Sequence, residues 1–277
     1  MSAERGDRRP ARGGSAPGAT RPTPAHVVAI ATGLSAFALA GLWLALTFPA
    51  GALDRAGLSA VAALRAPEAD RLWLVATTFG DADFLVWPML ATVATLAVAG
   101  RRRLAADAAI LFLATPLAVA ALKVAVRRPR PPADLALPDA FAFPSGHATG
   151  GAVVLGALAV LCLVDRPDAR AGARALVWGV AAAGALAIAV SRVWLGVHWP
   201  SDVIAALGLA LALVAGFAAR ARADARAGAH GATPWLGPWL VAGYLGLWAL
   251  HAHAGLDAAA GLYGVGPAGA LGTGGPS

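Results

Sequence analysis

Charge is scarce in this chain: Asp, Glu, Lys and Arg make up 13% of 277 residues, against 58% that are hydrophobic. That balance excludes an ordinary soluble domain, because so much apolar surface has no single aqueous core to enter, and it points to an integral membrane protein. Cysteine is nearly absent. The one thiol, Cys162, lies inside an apolar run and can form no intrachain disulfide, so redox chemistry drops out. Negative charge is also short. Fifteen acidic residues against 22 basic ones leave a formal net charge of +7, nearly all of it arginine. These arginines fall between apolar blocks rather than in one contiguous patch, which fits membrane topology and not nucleic-acid binding.

What is present is a series of apolar runs. Met1–Pro24, rich in Arg, Gly and Pro and without apolar periodicity, reads as a disordered basic tail. Val27–Leu53 carries no charge and is too long for the apolar core of a signal peptide, so it is expected as a retained first transmembrane helix. The polar interval Asp54–Asp83 holds two apolar patches, around Ala56–Leu64 and Leu72–Phe79; neither is long enough to span, and an interfacial helix or lid is expected there. Five further spans follow at Phe84–Gly100, Ala108–Leu122, Ala148–Val164, Ala175–Val190 and Val203–Ala219. Each charge-free run sits at or just below the lower limit for crossing about 30 Å of hydrocarbon, so flanking polar residues must belong to the helices. Pro234–His253, with Trp235, Trp239 and Trp248, reads equally as a seventh span or an interfacial segment, and Gly261–Ser277 as a Gly-rich tail. The expected fold is therefore an all-α membrane protein: a six-helix bundle over residues 25–222, between a tail at 1–24 and an extension at 223–277.

Arginine gives the orientation. Arg101–Arg103, the group Arg166, Arg170 and Arg174, and the group Arg220, Arg222 and Arg226 fall on the same side of a six-span threading as the basic tail. The positive-inside rule assigns that side to the cytoplasm. Three other segments fall on the opposite, noncytoplasmic side: KVAVRRPRP (Lys123–Pro131), PSGH (Pro144–His147) and SRVWLGVHWPSD (Ser191–Asp202). Lys123, Arg127, Arg128, Arg130 and Arg192 thus sit against the rule, where positive charge needs another purpose. Trp194 and Trp199 beside the third segment fit an interfacial belt.

Each segment has a chemical reading and a bland one. Pro129 and Pro131 bracket Arg130, so the helix carrying Lys123 must end nearby and the arginines project from a stiff turn; the bland reading is a cationic helix end snorkelling to lipid headgroups. Ser145 can cap a helix starting near His147, and Gly146 lets backbone approach a ligand. A helix N-terminus suits a phosphate, although a capped helix start with an exposed histidine is the plainer account. Pro200 starts a helix with Asp202 in its first turn, able to reach back to one imidazole nitrogen of His198 and leave the other free as a nucleophile. In the bland reading Asp202 merely favours the helix N-terminus and His198 is a loop residue. A carboxylate at the margin of a span is nonetheless costly unless partnered.

The spacing K-x6-R-P, then P-S-G-H, then S-R-x5-H-x3-D, in that order and on one membrane face, resembles the three-part signature of the type 2 phosphatidic acid phosphatase (PAP2) superfamily, in its membrane-bound lipid phosphatase branch. The motifs cover Lys123–Asp202, and the span layout extends the resemblance over roughly Val27–Ala219. The resemblance implies that His198 attacks phosphorus and forms a phosphohistidine, with Asp202 orienting its ring, and that His147 protonates the leaving oxygen and later takes a proton from water. It also implies that Lys123, Arg130, Arg192, Ser145 and the Gly146 N–H bind the nonbridging oxygens. Arg127 and Arg128 receive no definite role. The substrate would be a lipid phosphate or diphosphate of the undecaprenyl diphosphate, phosphatidylglycerol phosphate or phosphatidic acid class. A phosphotransferase using the same residues is one alternative; a non-catalytic protein that binds or transports anionic lipids is another. No Asp, Glu and His cluster with metal-ligand spacing accompanies the motifs, so catalysis without metal or cofactor is expected. The expected partners are the membrane and the lipid phosphate, with no nucleic acid, and the motifs do not encode an oligomeric state.

Overall fold

The computed structural model describes residues 51–132, 141–228 and 233–263. The basic tail, nearly all of the first expected span and most of the Gly-rich tail lie outside the described residues. Among those described, the chain forms eight helices and no strand, apart from one isolated antiparallel bridge between Pro129 and Phe141. In chain order they are α1 (Ala52–Ala63), α2 (Pro67–Thr78), α3 (Ala82–Val98), α4 (Arg102–Val126), α5 (Gly146–Leu163), α6 (Ala171–Trp194), α7 (Pro200–Arg226) and α8 (Leu236–Leu262).

Four of them, α4 to α7, are long and apolar enough to cross a membrane. Their ends extend past the charge-free runs, as the thickness of the hydrocarbon requires: α4 is 25 residues and α7 is 27. α3, at 17 residues, qualifies together with α2, and the pair bends by 41° at the break between them. The count supported by the described residues is thus four spans, or five with the bent pair. α8 is 27 residues long but carries His251, His253 and Asp257, and it is not among the candidate spans.

α5 is the hub of the bundle. Its most apolar stretch is 72% buried within the protein, against 22% for α4 and 17% for α6, whose outward faces present Ile110, Leu113, Leu117, Leu176 and Val180. Apolar side chains exposed on that scale suit lipid as the surrounding solvent. α6 and α7 pack along α5, and α3, α4 and α8 close the remaining sides. The tightest approach to backbone is at Gly237 in α8: a Cβ there would lie 2.5 Å from the Cα of Cys162 and 2.6 Å from its backbone nitrogen. Backbone cannot yield as a side chain can. We expect Gly237→Ala to destabilise the fold by about 1–3 kcal/mol, the usual range for overpacking, seen as a lower melting temperature in detergent. An unchanged melting temperature would mean that α8 does not pack this way.

The polar interval before α3 is more than an interfacial lid. Asp54, Leu74, Thr77 and Thr78 are buried, and α2 lies against α6 and α8. At the arginine-rich end, Arg101 is itself buried rather than free for topology. It donates to Asp165 at 2.7 Å and lies 3.8 Å from Asp224, while the Thr233 N–H and hydroxyl both donate to Asp165 at 3.1 Å. This network ties the start of α4 to the ends of α5 and α7 and to the start of α8.

Candidate active site

Because α4 to α7 alternate in direction, the C-terminal ends of α4 and α6 and the N-terminal ends of α5 and α7 meet at one end of the bundle. All three sequence segments lie there. α4 stops at Val126, where Arg127 adopts a left-handed conformation with φ of 48°. Lys123, in the last turn, donates to the Phe141 carbonyl at 2.6 Å, and Ala142 N–H donates to the Arg128 carbonyl at 2.8 Å. These bonds, with the Pro129–Phe141 bridge, draw the first segment against the chain that leads into α5.

Ser145 is the N-cap of α5 and is fully buried; its Oγ accepts from the Ala148 N–H at 3.4 Å. Its own N–H donates to the Asp202 carbonyl at 3.4 Å, which joins the second segment to the third. A Cβ on Gly146 would meet nothing closer than Val119 at 3.7 Å, so neighbouring protein atoms do not demand glycine there. The absence of a side chain leaves the first turn of α5 open to a ligand.

His198 lies in the turn between α6 and α7, 2% exposed. The turn is held by Arg192, whose carbonyl accepts from the N–H groups of Val197 and His198 at 3.1 and 3.2 Å. Arg130 reaches the same turn, donating to the Val197 carbonyl at 2.7 Å with the same nitrogen 3.2 Å from His198 Nε2. Burial first, then the charges of Arg192, Arg130, Lys123 and His147, hold the imidazole pKa well below its ordinary value. His198 is therefore a neutral nitrogen base facing a guanidinium, the state a nucleophile requires.

The expected hydrogen bond from His198 to Asp202 is not formed. His198 Nδ1 lies 3.6 Å from Asp202 Oδ2 and has no hydrogen-bond partner, so the two are neighbours without a bond between them. Asp202 has closer donors. Oδ2 accepts from the Trp199 N–H at 2.9 Å, as first-turn carboxylates do, and Oδ1 accepts from Arg128 at 2.5 Å. Arg128 is accordingly structural. Its side chain also donates to the Ser201 hydroxyl at 2.6 Å and to Asp54 at 2.5 Å, and Asp54 accepts in turn from the Ser201 N–H at 2.9 Å. Arg127, by contrast, is exposed and donates to the Val124 carbonyl at 3.1 Å.

Arg192 is 3% exposed, with one nitrogen donating to the Thr77 hydroxyl at 2.5 Å and to Tyr263 at 2.9 Å. Its guanidinium lies 5.4 Å from the Tyr263 ring centre. His147, in the first turn of α5, bonds through Nε2 to Asp81 at 3.0 Å. Among the described residues, no group of three or more His, Cys, Asp or Glu side chains is placed to hold a metal ion.

A buried neutral imidazole, a second imidazole and a set of cationic side chains at one end of a membrane bundle suit phosphoryl transfer. Residues 104–226 match the model of the PAP2 superfamily. Among solved structures, the chain is similar to a transmembrane PAP2-type phosphatidylglycerolphosphate phosphatase from Bacillus subtilis. The two are 27% identical, with a TM-score of 0.59 over 68% of this chain and 94% of that one. Over these residues the chain is similar to the PAP2 superfamily. Among curated protein sequences no relative matches.

The PAP2 match begins in α4 and ends with α7. Five polar side chains at this end of the bundle come from outside it: Asp54 from α1, Thr77 from α2, Asp81 from the α2–α3 break, His251 from α8, and Tyr263 just after α8. Sequence reasoning missed all of them. Asp54 and Asp81 carried a usable signal, since an acidic group beside an apolar run is costly without a partner. Thr77, His251 and Tyr263 carried none.

Proposed function

We propose that this protein is a membrane phosphatase that hydrolyses a lipid phosphate or diphosphate through a phosphohistidine at His198. The observation that carries the reading is the placement of His198 Nε2 3.2 Å from the Arg130 guanidinium, on an imidazole kept neutral by burial and by surrounding cations. A phosphate drawn to Arg130, Lys123 and Arg192 meets that nitrogen. In the first step the N–P bond forms, the P–O bond to the lipid breaks, and His147 gives its proton to the departing oxygen. In the second, His147 takes a proton from water, the oxygen attacks phosphorus, the N–P bond breaks and inorganic phosphate leaves. Asp202, 3.6 Å from Nδ1, opposes the positive charge that the phosphorylated ring acquires. One well-placed donor to the transition-state oxygens is worth about 2.7–4 kcal/mol.

The lipid assignment draws on the bundle itself and on a groove of about 310 Å³ beside the site. Leu58, Val61, Val193 and Leu195 line it together with Arg65 and Tyr263, the latter bonded to Arg192. An acyl or prenyl chain entering from the bilayer fits such a lining, with its headgroup toward Arg192. Phosphatidylglycerol phosphate, the substrate in the name of the similar Bacillus subtilis enzyme, is one candidate, beside phosphatidic acid and undecaprenyl diphosphate. The positive-inside distribution of the loop arginines supports a noncytoplasmic position for this end.

Phosphate release by detergent-purified protein from a panel of these lipids, with and without EDTA, tests the reading. We expect release that ranks the substrates and is unchanged by chelator. Release abolished by EDTA and restored by magnesium would overturn metal independence, and no release from any lipid would overturn the phosphatase assignment.

A further inference from the structure

Asp81 joins two histidines. One carboxylate oxygen lies 3.0 Å from His147 Nε2 and the other 3.1 Å from His251 Nε2. The three side chains are each between a quarter and a third exposed, so the cluster borders the site without being sealed from it. The α2–α3 break is pressed against His147: a Cβ on Gly80 would sit 3.0 Å from the His147 Cβ and carbonyl oxygen. α8 is fastened to the same break. Trp248 stacks on Phe79 with ring centres 4.1 Å apart and donates to the Thr78 hydroxyl at 3.0 Å, and the His251 ring lies 5.5 Å from Phe84.

We propose that Asp81 and His251 are positioning residues for proton transfer at His147. This inference rests on the phosphatase reading above. A carboxylate accepting from Nε2–H leaves Nδ1 of His147 to meet the ester oxygen, and it stabilises the imidazolium that must exist before that proton is delivered. His251 donates to the other carboxylate oxygen. This stops the carboxylate rotating away, so it stays where it opposes the charge that His147 carries when protonated. The acid–base function of a PAP2 site thus extends here onto α8, a helix beyond the family match.

The test compares two substrates with the same tail, decyl phosphate and a decyl-substituted nitrophenyl phosphate, in full-length protein in detergent. kcat/KM ends with departure of the leaving group, and a nitrophenolate leaves without a proton whereas an alkoxide does not. Asp81→Asn should lower kcat/KM for the alkyl ester about 100-fold, within the usual range for general acid catalysis, and for the aryl ester at least ten times less. His251→Phe should shift the ratio the same way by less, and His251→Gln, which keeps an N–H donor, should restore it. The ratio is insensitive to the fraction of folded protein, so a merely structural role would lower both rates together. An Asp81→Asn ratio equal to that of the wild type overturns the inference while leaving the phosphatase reading intact. A wild-type protein that hydrolyses neither ester overturns both.

Discussion

His198→Ala should lose lipid phosphate hydrolysis by about 10⁴-fold or more and form no phosphoenzyme, the scale of loss expected when a covalent nucleophile is removed. The expectation follows from the position of the ring. It is 2% exposed, its backbone N–H is held by the Arg192 carbonyl, and Nε2 faces Arg130. The imidazole pKa is held below its ordinary value, so the nitrogen is unprotonated throughout the neutral range and its lone pair needs no separate base. Rapid-quench labelling with a phosphorus-32 lipid, stopped in alkali because phosphohistidine is acid-labile, measures both quantities. Label retained by His198→Ala, or hydrolysis within tenfold of wild type, would place the nucleophile elsewhere.

Arg128→Met should be the most destabilising single change at the site, by about 3–5 kcal/mol, because it strands a buried carboxylate on each side. Asp202 is fully buried, Asp54 is 6% exposed, and the one guanidinium between them donates to both at 2.5 Å. Removing it leaves two negative charges facing each other with little water to screen them. The double variant Arg128→Met with Asp54→Asn should recover part of the loss by removing one of those charges. Arg127→Met, one position earlier in the same turn, serves as the control, since that side chain is exposed and donates to the Val124 carbonyl. Thermal unfolding in detergent reads all three. Equal melting temperatures for Arg127→Met and Arg128→Met would show that the carboxylates do not depend on Arg128. The sequence offered no way to tell these neighbours apart, because an arginine at a helix end reads the same whether it points outward or inward.

The sequence by itself determined the features that are local. Apolar runs set α4 to α7, Pro129 and Pro131 follow the end of α4, Ser145 caps α5, and Pro200 opens α7. Each is fixed by backbone chemistry within a few residues. The grouping of the three motif segments at one end of the bundle was equally legible, since adjacent antiparallel spans return every second connection to the same end. Tertiary structure decided what depends on helix rotation and depth. It placed α5 at the centre, buried Arg101 in an ion-pair network, and brought Thr77, Asp81, His251 and Tyr263 to the site from segments that share no local pattern with the motifs. It also settled the partners of Asp202. A first-turn carboxylate four residues after a histidine can reach that ring, but the Trp199 N–H and the Arg128 guanidinium are nearer, and the shorter, better-aligned donors hold it.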